Sequence, residues 1–205
     1  MIEERGPRAE DQNDKVSTFG AISLFIFDFI KVFVVAVAII IPIRWFLFQP
    51  FVVTGDSMEP NYQNGNYLIV DEISYRFRSP ERGEVVVLRF PNDPSQFFIK
   101  RIVGLPNERI LVENGRVKVF NALEPEGFFL EESYLSSNHI TYGTLNRTLW
   151  ADEYFVLGDN RLSSSDSRVW GGLLRRYIVG RVYLRVFPMT DFEIFKAPSY
   201  ASSSL

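Results

Sequence analysis

The feature that most restricts this chain is an apolar run near its start. From Phe19 to Phe48 only Asp28, Lys31 and Arg44 carry charge, and Val32–Ile43 (VFVVAVAIIIPI) contains no polar side chain. As a helix that inner stretch rises about 18 Å, short of the roughly 30 Å hydrocarbon core of a bilayer. The wider window Phe29–Leu47 reaches about 28 Å. Lys31 and Arg44 then lie close enough to its ends to extend their charges into the headgroups, and Trp45 falls at an interface. A helix buried in a soluble core seldom carries β-branched and aromatic residues around its whole circumference. Removal as a signal peptide is also disfavoured, because the residues that follow, Arg44-Trp45-Phe46-Leu47-Phe48-Gln49-Pro50, offer no small-x-small cleavage site. The expectation is one uncleaved transmembrane anchor over 19–48, with its core over 29–47.

Residues 1–18 are polar, carry both charge signs and have no apolar period, so they are expected to form a mobile tail. Arg5, Arg8 and Lys15, with Lys31, favour a cytoplasmic N-terminus, against five acids in the same tail. The expected topology is therefore single-pass in the cytoplasmic membrane, with the rest of the chain outside the cytoplasm. Residues 197–205 read as a flexible polar end.

After Pro50 the period changes to strands and turns. Phe51–Val53, Tyr67–Val70, Val85–Phe90, Phe97–Val103, Ile110–Val112, Arg116–Phe120, Tyr154–Leu157 and Val179–Phe187 are β-branched or aromatic runs. They are separated by turn signals at Asn64-Gly65, Arg82-Gly83, Pro91–Pro94, Leu105–Asn107 and Asn114-Gly115, the last being the clearest hairpin. The domain is expected to be mostly β.

Composition then narrows the chemistry. The 205 residues include no cysteine and one histidine, His139, so a structural zinc site, an iron–sulfur cluster, a disulfide framework and a thiolate nucleophile are excluded or nearly so. Neither a metal nor any other cofactor is expected. A net charge of −3 gives no basic field for nucleic acid. His139 is expected in a surface loop.

Three segments could carry chemistry. In Thr54-Gly55-Asp56-Ser57-Met58-Glu59-Pro60, Ser57 sits at a strand-to-turn corner where its hydroxyl can project; serine in such a setting is also an ordinary turn former. In Phe97–Pro106, alternation places Phe98, Lys100 and Ile102 on one face, so Lys100 lies between large apolar neighbours that would lower its pKa; an edge lysine reaching out to water fits the same pattern. Gly158-Asp159-Asn160-Arg161-Leu162-Ser163-Ser164-Ser165-Asp166-Ser167-Arg168 could form a hydrogen-bonded turn with Asp–Arg pairing, or a solvated serine-rich loop.

In this order, Ser-Met-x-Pro just past an apolar segment, Lys-Arg-Ile-Val-Gly-Leu-Pro, and Gly-Asp-Asn-Arg-x-x-Ser-x-Asp-Ser-Arg resemble the type I signal peptidase (leader peptidase) family, with Gly83–Pro91 matching a further strand motif. The resemblance spans about 30–188. It implies an antiparallel β-sheet catalytic domain of the signal-peptidase and SOS-repressor type in two segments, 49–106 and 151–196. A smaller β subdomain would be inserted over 107–150, behind one N-terminal transmembrane helix. It implies a membrane-bound serine endopeptidase that removes N-terminal signal peptides from secretory preproteins, cutting after small residues, and a monomer in contact with the bilayer. By the same resemblance Ser57 is the nucleophile, Lys100 the general base, Ser164 the hydroxyl that bonds the lysine amine, and Asp159, Asp166 and Arg168 supporting residues. The Ser57 backbone N–H, with Gly55, would form the oxyanion hole. Phe51, Val53, Thr54, Phe98 and Ile99 would wall the small-residue pockets. Three positions depart from the family pattern: Gly55 where some members have Ser or Thr, Asn61 where Thr is usual, and Asn107 where Gly is usual. A self-cleaving repressor would need a DNA-binding helix-turn-helix in residues 1–50, which this sequence lacks. A conjugation-type processing peptidase and a non-catalytic anchored peptide-binding module are the other readings.

Overall fold

The computed structural model describes residues 13–46, 48–136 and 139–195. It falls into two units, 1–45 and 46–205. The expected tail residues 1–12 and the expected end 197–205 lie outside the described residues. The first unit is built on one helix, α1 (Asn13–Phe46). Its described part begins within the segment expected to be a mobile tail. Phe25, Ile26, Phe27 and Val35 are all more than half exposed and point to four different sides of the helix, so apolar side chains surround it. Among the residues whose side chains are described, no helical stretch is long and apolar enough to cross a membrane. The unbroken described run is 25–40, about 24 Å of rise. The expected anchor core continues into 41–47, whose side chains lie outside that set.

The second unit is β. Its strands are β1 (Phe48–Val52), β2 (Tyr67–Asp71), β3 (Val85–Phe90), β4 (Asp93–Gly104), β5 (Arg109–Glu113), β6 (Arg116–Phe120), β7 (Phe128–Phe129), β8 (Leu145–Thr148), β9 (Glu153–Leu157), β10 (Leu173–Leu174), β11 (Ile178–Phe187) and β12 (Glu193–Ile194), with one-turn helices α2 (Ser74–Phe77) and α3 (Ser167–Trp170). The main sheet runs β1-β2-β11-β3-β4-β9-β10, antiparallel throughout, with β12 on β11. β3 explains how this sheet is covered. Val85 and Val87 pack with Val53, Met58, Tyr62, Leu68 and Val70 on one face, while Val86 and Leu88 pack with Ile102, Tyr154 and Val156 on the other. A continuous apolar run, rather than an alternating one, is what a strand buried on both faces requires.

The region between β4 and β9 folds into a second sheet, β7-β6-β5-β8. Its β5–β6 hairpin turns at Asn114 (φ 51°) and Gly115 (φ 78°), both in the left-handed region that a two-residue type I′ turn demands. Asn107, also at positive φ (67°), makes the turn after Leu105-Pro106, a conformation asparagine tolerates. β5 and β6 alternate buried and half-exposed residues. Their inward side chains, Ile110, Val112, Val117 and Val119, join Val103 of β4 and Phe155 and Leu157 of β9 in one cluster. The inserted sheet therefore shares its core with the main sheet. Each such side chain, fully buried, contributes about 1.5–3 kcal/mol.

Candidate active site

Ser57 lies in the loop that leaves β1. The base of this loop is closed by Val53 N–H to Asn66 O and Gly65 N–H to Val53 O, both 2.9 Å. The chain reverses at Gly55, whose φ of +93° suits only glycine, and the Gly55 N–H donates to Asn64 Oδ1 at 3.1 Å. Beyond Ser57, a turn closed by Tyr62 N–H to Met58 O (3.0 Å) sinks the Met58 and Tyr62 side chains into the core. The serine is thus held from both sides.

Lys100 sits on β4 opposite Val86 of β3 and is 3% exposed. Its Nζ lies 2.8 Å from Ser57 Oγ and donates to Ile99 O at 2.8 Å. The Phe98 ring centroid is 5.2 Å away. Burial disfavours the ammonium form and pushes the Lys100 pKa from 10.5 down to about 8, against the opposing pull of the Asp166 and Asp159 carboxylates. A fall of that size corresponds to about 3 kcal/mol of lost ammonium solvation.

The loop after β9 locks the two together. Asn160 donates its N–H to Ser57 O (3.1 Å) and its Nδ2 to Asp56 O (3.2 Å). Gly158 passes so close to the serine that a Cβ there would lie 2.4 Å from Ser57 O and 2.2 Å from Ser164 Oγ, so glycine is required by space. Gly158 N–H donates to Asp166 Oδ2 (3.1 Å), and the fully buried Asp166 takes Arg168 Nε and Nη2, each at 2.8 Å. Asp166 also caps α3 through the Arg168 N–H. Asp159 pairs bidentately with Arg101, next to Lys100 on β4, at 2.8 and 2.6 Å. It also accepts from Asn61 Nδ2 at 2.8 Å, so the asparagine that stands where the family usually has threonine bridges the Ser57 loop to Asp159.

Ser57 and Lys100 open onto a cleft of about 250 Å³ whose wall includes Phe51, Thr54, Phe98 and Ile99. Three sequence expectations need correction. Ser164 Oγ is buried without a hydrogen-bond partner; the lysine amine instead donates to Ile99 O. Gly55 N–H is occupied by Asn64 and is not a free oxyanion donor. Val53 is buried in the core rather than on the cleft wall, because β1 has ended at Val52 and its backbone is engaged with the loop base. Sequence reasoning missed Val52, Asp56, Val87, Phe97 and Ser165, which also line the cleft. Val87 reaches the cleft through its register opposite Ile99, a pairing that only the folded sheet defines. His139 lies in a loop of the inserted region, half-buried, with its ring against Ser136 O (2.8 Å) and Glu132 Oε2 (3.3 Å), so its nitrogens are engaged away from Ser57.

Residues 26–187 match the model of a family described as signal peptidase, peptidase S26. A probable signal peptidase I-2 of Synechocystis sp. is 39% identical over 78% of this chain and 72% of its own length. A signal peptidase I of Leptolyngbya laminosa is 36% identical over 83% and 85%. A crystal structure of a signal peptidase I from Enterococcus faecalis V583 is 26% identical, covering 51% of this chain and 97% of that one, with a TM-score of 0.43.

Proposed function

The chain belongs to the signal peptidase, peptidase S26, family and is a serine endopeptidase that removes signal peptides from secretory precursors, and on that premise we propose that Ser57 is its nucleophile and Lys100 its general base. The observation that carries this reading is the 2.8 Å approach of Nζ to Oγ inside a desolvated pocket. With a pKa of about 8, roughly half of Lys100 is neutral at pH 8, against well under about 1% for an unperturbed lysine.

The neutral amine takes the Ser57 hydroxyl proton as Oγ attacks the scissile carbonyl carbon, and the oxyanion that forms is met by the Ser57 N–H. Collapse of the tetrahedral intermediate breaks the peptide bond, and Lys100 returns the proton to the leaving amine. Water, deprotonated by the same amine, then attacks the acyl carbonyl; the ester bond to Ser57 Oγ breaks, the acid product leaves, and Lys100 returns the proton to Oγ. Asp166, paired with Arg168, and Asp159, paired with Arg101, hold the 158–168 loop; pairing also limits how far their negative charge favours the ammonium form. Ser164 stands beside Gly158 as a supporting hydroxyl.

An extended precursor lies along the cleft as an added strand, and Phe51, Phe98 and Ile99 leave room for Ala-like side chains one and three residues before the cut. The apolar segment from Phe19 to the end of α1 anchors the chain in the cytoplasmic membrane as a single pass, N-terminus inside; Phe48, expected at the end of that anchor, begins β1 instead. The reading is supported by the exposed apolar surface of α1 and by the charge pattern of the sequence. The enzyme acts as a monomer, without metal or other cofactor. Purified full-length enzyme in detergent should cleave a precursor after Ala-x-Ala, and Ser57→Ala should not; retained cleavage by that variant overturns the assignment. Protease added to spheroplasts should digest the β domain, and its protection would reverse the orientation.

A further inference from the structure

The turn that follows Ser57 is gripped by the segment after β11. Beyond β11 the backbone reverses through a short turn at Met189–Asp191 and returns as β12, whose Glu193 and Ile194 pair with Arg185 and Leu184. The Phe195 N–H continues the pairing, donating to Tyr183 O at 2.9 Å. One guanidinium joins this strap to the serine loop. Arg185 donates Nη1 to Asn61 O at 2.8 Å and, at 3.4 Å, to Asn66 Oδ1. It donates Nε to Asp191 O and Nη2 to Glu193 Oε2, both at 2.8 Å. A ring contact runs beside it: Phe195 and Tyr62 approach to 4.7 Å between centroids, and Phe195 packs on the cluster that holds Met58 and Tyr62.

β11 is shaped to present this group. It shifts register against β2 between Val182 and Leu184 and again between Arg185 and Phe187, so Arg185 lies between two irregularities. Such bulges re-aim a side chain and recur beside active sites. The Arg185 side chain is 13% exposed, and its planar fork meets several acceptors at once, which a lysine ammonium cannot do in one fixed geometry. Asn160 holds Ser57 O at the head of the 57–62 turn, and Arg185 holds Asn61 O near its tail. Asn61 and Tyr62 share a cavity of about 200 Å³ with Glu193 and Phe195 of the strap, and none of its lining residues lines the Ser57 cleft. The strap therefore reaches the serine turn without entering the cleft.

We infer that Arg185 is a positioning residue for the cleavage reaction: by tying the 189–195 strap to the turn after Ser57, it sets where the serine hydroxyl stands relative to the Lys100 amine. The inference deepens the proposed function and rests on it. Arg185 does not line the cleft, so it acts through the backbone of the turn, and substrate binding does not depend on it. A shift of Ser57 on the order of 1 Å is enough to cost about 100-fold in turnover.

The test uses full-length enzyme in detergent and a precursor with an Ala-x-Ala site. Arg185→Ala should lower kcat by at least about tenfold, with KM within about twofold of wild type. The rising limb of the pH profile should stay near 8, because Arg185 is not among the groups that act on Lys100. Methylguanidinium, added well below the denaturing range, should raise the kcat of Arg185→Ala by at least about threefold, and urea at the same concentration should not. Arg185→Lys should remain impaired. Phe195→Ala loosens the strap without touching the guanidinium and should also lower kcat; added to Arg185→Ala it should cost less than it does alone, as residues acting as one unit do. A wild-type kcat in Arg185→Ala, a loss carried by KM, a displaced pH limb or no rescue overturns the inference. Where Arg185→Ala does not fold, wild-type kcat in both Arg185→Lys and Phe195→Ala overturns it. Cleavage retained by Ser57→Ala would instead overturn the site assignment on which the inference stands, so the two failures are distinguishable.

Discussion

Ser57 Oγ and Lys100 Nζ are separated by 43 residues of chain and by 2.8 Å of space. Neither group is reactive by composition. The hydroxyl needs a base, and a lysine is a base only where its ammonium is poorly solvated. β4 supplies that condition by fixing the amine among Phe98, Ile99 and the serine loop. The chain lacks cysteine and its one histidine is engaged elsewhere, so on the proposed assignment its chemistry is concentrated in this pair.

Replacing either partner should abolish cleavage while leaving the fold intact. Ser57→Ala and Lys100→Met are expected to lower kcat by about 10⁴-fold or more, with far-ultraviolet circular dichroism unchanged. A Lys100→Met enzyme retaining a tenth of wild-type activity would remove lysine from the mechanism.

The activity should follow the ionisation of Lys100. Because the free base is required, kcat/KM should rise with pH through an ionisation near 8 and level off above it. A rate independent of pH between 6 and 9 would contradict a lysine base.

The same burial has a stability signature of opposite use. The folded-state pKa of Lys100 lies below its unfolded value, so between about 8 and 10.5 the unfolded chain binds more protons and this group makes stability rise with pH. Below pH 8 the buried ammonium destabilises the fold by its full amount. Lys100→Met should therefore be more stable than wild type at pH 7, by up to about 3 kcal/mol, and the gain should vanish towards pH 10.5. Denaturant titrations at the two pH values measure it; a gain that does not depend on pH would assign the effect to packing alone.

Gly158→Ala should impair chemistry more than binding. The added Cβ must displace Ser57 O, which is backbone, as well as the Ser164 hydroxyl. A displacement of the nucleophile on the order of 1 Å corresponds to about a 100-fold loss, so kcat should fall by that much with KM little changed. A variant with normal kcat would show that the loop yields without moving the serine.

Arg101 and Asp159 form a buried pair, with side chains 7% and 0% exposed. Arg101→Met leaves the carboxylate without its partner and should destabilise the fold by about 3–5 kcal/mol. Less than about 1 kcal/mol in a denaturant titration would mean that Asn61 alone suffices for Asp159.

What could be read from the sequence followed from how much each segment declares by itself. β3, β9 and β11 are β-branched or aromatic runs, and Asn114-Gly115 names its own turn. β7, β10 and β12 have two residues each, and β8 reads LNRT, with no alternation; these exist because a neighbouring strand offers a partner. β4 begins at Asp93, in a stretch read as a turn because it holds Asn92, Asp93 and Pro94; pairing of Asp93 with Phe90 across a register shift makes it strand. The dyad was legible because motif order carried it. The cleft wall was less so. Val53 shares Phe51's parity, but the strand stops between them, and Phe97 acquires its place only through Phe51, from the far side of the sheet.

The order in which the site's parts occur along the chain also orders its synthesis. A ribosome that has delivered residues 1–150 has already made both serine and lysine, yet not β9, which flanks β4, nor the Asn160 amide that fixes Ser57 O. Peptidase competence is thus withheld until the last quarter of the chain has emerged and folded back. A molecule three-quarters made holds both side chains and lacks the loop that keeps them together.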